Sequence, residues 1–182
     1  MSNLENNVEK ILLSEKDIEK IVTDLANDIN YDFKNEEIIL VGLLKGSAVF
    51  MSDLLRKITL PCEIDFMTAS SYGSKTTSSG DVRITKDLTI DIKDKNVIIV
   101  EDIIDSGNTL SCVFKILKKR EPKNLKLCSL LSKPDRREVN DVKIDYLGEE
   151  IPDEFVVGYG LDFDEKYRNL PYIGVLKREI YL

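Results

Sequence analysis

Residues 97–110, VIIVEDIIDSGNTL, concentrate more possible chemistry than any other stretch of this chain. Four β-branched residues lead into Glu101 and Asp102. Two more apolar residues precede Asp105, and Ser106-Gly107-Asn108-Thr109 then opens a helical pattern. Gly107 allows a tight turn, so the amides of 106–109 point outward at a helix N-terminus, where an anion is favoured. Ser106 and Thr109 add hydroxyl donors. Glu101 and Asp102 suit sugar hydroxyls or a hydrated divalent cation. A phosphorylated sugar satisfies all of these groups together. Helix capping alone accounts for Asp105 or Ser106, but it leaves two acids at the end of a core strand unexplained.

The composition narrows the chemistry further. The chain has no histidine, which excludes Ser-His-Asp and Cys-His engines and imidazole-bound metal. Proton transfer must fall to Asp, Glu, Lys or Tyr. Cys62, Cys112 and Cys128 are odd in number and widely spaced, so they read as reduced thiols and not as a disulfide framework or zinc site. A net charge of −7, from 33 acids against 26 bases, disfavours nucleic acid and anionic lipid as partners. Backbone amides, one lysine and a divalent cation can still hold phosphate on an acidic protein. No apolar run approaches the roughly 18 residues of a membrane span. The opening MSNLENNVEK has no secretory pattern, so a cytoplasmic location is expected.

The elements that must position these groups are legible as an alternation. At 182 residues the chain fits one domain with a full core. Ser14 to Asp17 form a capping-box pattern, and Ile18, Ile21, Val22, Leu25 and Ile29 recur at helical spacing, predicting a helix over 15–29. Residues 37–43 form an apolar run typical of a strand buried on both faces. A helix over 47–57, strands over 61–69 and 96–102, a helix over 109–120 and a strand over 125–131 follow. Shorter strand-like pieces lie at 142–147, 154–158 and 172–176, and the N-terminal segment up to about residue 35 reads as a helix plus a tail, open to packing on the sheet or joining a subunit contact. Residues 70–80, SSYGSKTTSSG, predict a mobile loop. Such an order implies an α/β fold with a central parallel sheet and right-handed crossovers. Ligands then bind beyond the carboxyl ends of the strands, at 44–47, 101–109 and 132–137.

VIIVEDIIDSGNTL closely resembles the phosphoribosyl pyrophosphate signature of type I phosphoribosyltransferases, in the wording of their hypoxanthine-guanine branch. LLKGSAVF (43–50) is similar to that branch's pyrophosphate loop, SSYGS (70–74) to its flexible lid, and LLSKPDRR (130–137) to its lysine-bearing purine segment. PDEFVVGYGLDFDEKYRNLPYIGVL (152–176) is similar to its purine-binding hood. The likeness runs from about residue 37 to the end, with five motifs in the family's order.

The resemblance implies a purine-salvage enzyme that uses Mg2+ to transfer phosphoribose to hypoxanthine or guanine. It implies a single domain with a core at about 37–140, a lid at 70–80 and a hood mainly at 141–182, assembled as a homodimer or homotetramer. Asp105 would be the general base at the purine N7. Glu101 and Asp102 would hold the ribose hydroxyls and magnesium, and Ser106, Gly107, Asn108 and Thr109 the 5′-phosphate. Lys45, Gly46, Ser47, Ser71, Tyr72 and Arg168 would bind pyrophosphate, with a cis bond between Leu44 and Lys45 common in the family. Lys133 would donate to the purine O6, Phe155 would stack on the base, and Val156 would read its edge. Asp162 would orient the base and a second magnesium. Asn108 replaces a lysine common among relatives, and Ser47 a glycine; both changes keep the amide, and Ser47 is expected to add a donor. An enzyme that also takes xanthine, and a non-catalytic sensor of phosphoribosyl pyrophosphate, are the alternatives.

Overall fold

The computed structural model describes residues 4–71, 82–139 and 141–182. In chain order the larger elements are β1 (Val8–Leu13), α1 (Glu15–Asp32), β2 (Ile38–Leu43), α2 (Ala48–Leu55), β3 (Cys62–Ser71) and β4 (Val82–Lys86). They continue with β5 (Asn96–Ile104), α3 (Asn108–Lys118), β6 (Asn124–Ser132), β7 (Tyr146–Glu150), β8 (Val156–Val157), β9 (Ile173–Leu176) and α4 (Arg178–Tyr181).

The main sheet has the order β4-β3-β2-β5-β6-β7, parallel throughout except for β4 at the edge. Its central strands are apolar on both faces because both faces are covered. Side chains alternate along a strand, and the two halves of β2 and β5 enter different cores. Ile38, Leu40, Ile98 and Val100 pack under α1 and α2, while Ile39, Val41, Val97 and Ile99 pack under α3. The Ser14 hydroxyl and the Asp17 carboxylate form the expected capping box, and Ile18, Val22, Leu25, Ala26 and Ile29 bury one face of α1. Burial of each such large side chain stabilises by roughly 1.5–3 kcal/mol. Truncating the fully buried Phe50 to alanine removes about 3–5 kcal/mol.

A second sheet, β1-β9-β8, is antiparallel and sits over its own small core of Val157, Tyr167, Leu170 and Leu176. Four differences from the sequence reading arise in the two sheets. The N-terminal residues are more than a tail, because Val8–Leu13 pairs with Ile173–Leu176 and completes this sheet. Within the stretch read as hood, β7 instead pairs with β6 and forms an edge of the main sheet. The strand piece expected at 142–147 is shifted toward 146–150. β4 was not foreseen at all; it returns along β3 as a hairpin.

The register brings the site loops together. Leu43 pairs with Met67, Glu101 with Ser129, and Ile104 with Ser132, so β2, β5 and β6 end at one pole. The Lys133 amide continues the ladder by donating to the Ile104 carbonyl at 2.9 Å.

Candidate active site

The loop after β2 threads between the end of β5 and the second sheet. A β-carbon on Gly46 would strike the Asp102 carboxylate, and one on Gly160 (φ +101°) would strike the Gly46 carbonyl. Both positions are therefore restricted to glycine by close approach. The Leu44–Lys45 peptide is cis. Ser47 departs from the sequence reading. It is fully buried, and its hydroxyl donates to the Leu43 carbonyl at 2.6 Å. That hydroxyl closes the loop against β2.

Beyond β5, Gly107 adopts φ +84° at the N-cap of α3, as the phosphate-loop reading requires. Glu101, Asp105, Ser106, Gly107 and Thr109 share a cavity of about 150 Å³. Asn108 turns outward and donates to Glu138 at 2.6 Å, leaving its backbone N–H, 3.4 Å from the Ser106 hydroxyl oxygen, on the loop side. The Ser106 carbonyl accepts from the amides of Glu138 and Val139, which ties the loop to the segment after β6.

Glu101 and Asp102 are strongly perturbed. Burial, reinforced by the charge of Asp102, pushes the Glu101 carboxyl well above the usual carboxylate range. Burial also raises Asp102 to about 6, opposed by backbone hydrogen bonds at Ile103 and Asp102 and by the Arg168 charge. The Glu101 Oε2 atom is buried with no hydrogen-bond partner among the described residues. Two successive carboxylates at a strand end, one with a buried and unfilled acceptor oxygen, fit a hard cation that completes its shell with water and phosphate oxygens. Asp162 stands close enough for its charge to raise Asp102 further. Its Oδ1 lies 2.9 Å from Arg168 Nη2 and its Oδ2 accepts from the Glu165 amide at 3.0 Å. Among the described residues no group of three acids or cysteines is gathered closely enough to hold a metal by itself. In this structure Asp162 is ion-paired, and a cation held by one or two carboxylates together with substrate oxygens needs no such group.

Lys133 is nearly buried at the end of β6, its Nζ 3.8 Å from Asp153 Oδ1. Arg136 spans the gap to the general-base candidate. Its Nε is 2.9 Å from Asp105 Oδ1 and its Nη1 is 3.4 Å from Asp153 Oδ1. On the opposite side Lys45 Nζ meets Glu165 at 3.0 Å, and Arg168 donates to the Gly160 carbonyl at 2.7 Å. Phe155 is partly exposed, stacked on Tyr181 with centroids 4.7 Å apart and met edge-on by Phe163 at 5.6 Å. Val156 is buried in β8, where its backbone pairs with Val175. The Ser71 side chain, Tyr72 and almost all of the lid expected at 70–80 lie outside the described residues.

Arg136, Asp153 and Glu165 are the participants that sequence reasoning missed. Arg136 lies inside the quoted LLSKPDRR, Asp153 at the start of PDEFVVGYG and Glu165 in DFDEKYR, but only the fold shows that their charges face the site.

Comparison with known proteins agrees with this geometry. Residues 9–164 match the phosphoribosyl transferase domain model. The hypoxanthine phosphoribosyltransferase of Salmonella typhimurium is 54% identical over 167 residues, covering 91% of this chain and 93% of the relative. The hypoxanthine-guanine phosphoribosyltransferase of Staphylococcus aureus is 47% identical over 178 residues, covering 98% and 99%. A crystal structure of a Staphylococcus aureus hypoxanthine phosphoribosyltransferase superposes with a TM-score of 0.96 at 47% identity, covering 100% of this chain and 98% of the other. With the phosphate loop, the glycine-bounded loop after β2 and the buried acid pair all in place, the chain belongs to the phosphoribosyltransferase family.

Proposed function

We propose that this chain transfers the 5-phosphoribosyl group of phosphoribosyl pyrophosphate to hypoxanthine or guanine, giving IMP or GMP and releasing pyrophosphate. One observation carries the choice of base. Asp105 and Lys133 stand just beyond the paired residues Ile104 and Ser132, at the ends of neighbouring strands. A carboxylate acceptor and an ammonium donor side by side match N7–H and O6, which are neighbours on a 6-oxopurine. An adenine would set its 6-amino donor against the same nearly buried ammonium and leave it only the Asp153 carboxylate at 3.8 Å, which discriminates against adenine.

The chain's residues then have distinct tasks. The α3 N-terminal amides and the Ser106 and Thr109 hydroxyls grip the 5′-phosphate. Lys45 and Arg168 neutralise the pyrophosphate. Glu101 and Asp102 would hold a hydrated Mg2+, which supplies charge neutralisation at the leaving group when bound. The C1′–oxygen bond breaks, the positive charge on the ribose is stabilised by the site, and purine N9 forms the new bond. Asp105 accepts the N7 proton as that bond forms. Most of the acceleration comes from positioning and charge stabilisation.

The same reading includes a lid over 70–80 that excludes water, Phe155 as the stacking surface for the base, and self-association through exposed apolar residues such as Val49 and Ile64. Among the described residues no helix is long and apolar enough to cross a membrane. Three cysteines without disulfides support a reducing, cytoplasmic setting. Initial rates measured with hypoxanthine, guanine, xanthine and adenine supplied separately test the proposal. Turnover of the first two with little or none for adenine is expected; equal use of adenine would refute the role of Lys133.

A further inference from the structure

The two cations assigned to pyrophosphate are already bridged by a carboxylate of the chain itself. Glu165 Oε2 lies 3.0 Å from Lys45 Nζ and 3.4 Å from Arg168 Nη2. A single oxygen thus sits between both charges, as a phosphate oxygen would. The turn that carries it is built for this placement. Asp164 and Glu165 both have positive φ, 52° and 59°, and a Phe163–Lys166 bridge closes the turn. Asp162 templates it, accepting the Glu165 amide on one oxygen and pairing with Arg168 through the other. The hydrogen bond and charge of Lys45 also draw the Glu165 carboxyl below its ordinary range, so the group is ionised at neutral pH.

We propose that Glu165 is an internal competitor for the pyrophosphate subsite. It holds Lys45 and Arg168 together while the subsite is empty, yields to the pyrophosphoryl group of the substrate, and returns as pyrophosphate leaves. The inference rests on the assignment of Lys45 and Arg168 made above and adds a residue that sets affinity without touching the reacting atoms. The Lys45 and Glu165 side chains are 66% and 64% exposed, so the competition is modest and tunes binding without blocking it. A carboxylate in this position weakens pyrophosphate binding and speeds product departure, at the expense of a higher KM for phosphoribosyl pyrophosphate.

Calorimetric titration of the intact protein with inorganic pyrophosphate and Mg2+ tests this. Glu165→Gln is expected to bind pyrophosphate about two- to five-fold more tightly than the parent. Glu165→Asp, whose carboxylate is withdrawn by one methylene, is expected to tighten binding less. The KM for phosphoribosyl pyrophosphate should fall in parallel in both variants. Lys45→Met separates the two layers of the argument. Weakened binding in Lys45→Met together with unchanged or weaker binding in both Glu165 variants would overturn the competitor alone. Unchanged binding in Lys45→Met would overturn the subsite assignment, and the competitor with it.

Discussion

The α-carbon of Gly46 faces the carboxylate of Asp102 with no room for another carbon between them. Its carbonyl is closed on the other side by Gly160. The loop after β2, the acid pair at the end of β5 and the second sheet are therefore one interlocked unit. Gly46→Ala is expected to lower kcat/KM for phosphoribosyl pyrophosphate by about 100-fold or more, since displaced reacting groups forfeit positioning. The clash falls at the very end of β5, so circular dichroism should remain near native. Full activity in this variant would mean that the Gly46–Asp102 contact is dispensable.

Replacing Lys133 tests base selection. Lys133→Gln keeps a donor and introduces an acceptor that can face a 6-amino group. The ratio of kcat/KM for hypoxanthine over adenine should fall by about 100-fold, while the KM for phosphoribosyl pyrophosphate changes little. A ratio equal to that of the parent would place purine selection elsewhere.

Magnesium is expected to be essential because Glu101 and Asp102 bring two perturbed carboxylates, one with an oxygen unpartnered among the described residues, to the end of β5. Chelation should abolish turnover and added Mg2+ should restore it. Asp102→Asn should remove most activity at every Mg2+ concentration. Activity that persists in excess chelator would contradict the role given to the acid pair.

Asp65 supplies a stability test far from the chemistry. Burial alone would raise its carboxyl. Hydrogen bonds from the Thr89 and Phe66 amides, the Thr89 hydroxyl and Lys86 outweigh that and hold it at about 2, below an ordinary value of 3.8. A depressed folded-state pKa stabilises at pH values above the unfolded one, and the gain vanishes as pH falls through the folded one. Asp65→Asn should thus destabilise by about 2 kcal/mol at pH 7. The gap to the parent in urea unfolding should close between about pH 4 and pH 2. A gap independent of pH would assign the effect to packing.

Much of this was legible in the sequence where the determinants are local. The buried β2 and β5 runs, the α1 capping box and the Gly107 turn are each specified by neighbouring residues. The strand β1 was not, because VEKILL has no clean alternation and its partner lies at Ile173–Leu176, almost a whole chain away. The same limit applies in the site. Asp105 and Lys133 sit at strand ends that the α/β rule marks as functional. The Arg136 bridge from Asp105 to Asp153 and the Glu165 contacts depend on loops from different elements meeting. Ser47 shows the converse, since its residue type suggested a ligand donor and tertiary placement turned the hydroxyl inward.

The account stands most directly on Asp105 as the proton acceptor at the end of β5. The decisive measurement is the single-turnover rate of Asp105→Asn with hypoxanthine, paired with calorimetric binding of phosphoribosyl pyrophosphate to the same variant. Asn keeps the size of the side chain but cannot take the proton. The rate is expected to fall by about 100- to 10,000-fold with phosphoribosyl pyrophosphate binding within a few-fold of the parent. An undiminished rate in Asp105→Asn would contradict the mechanism.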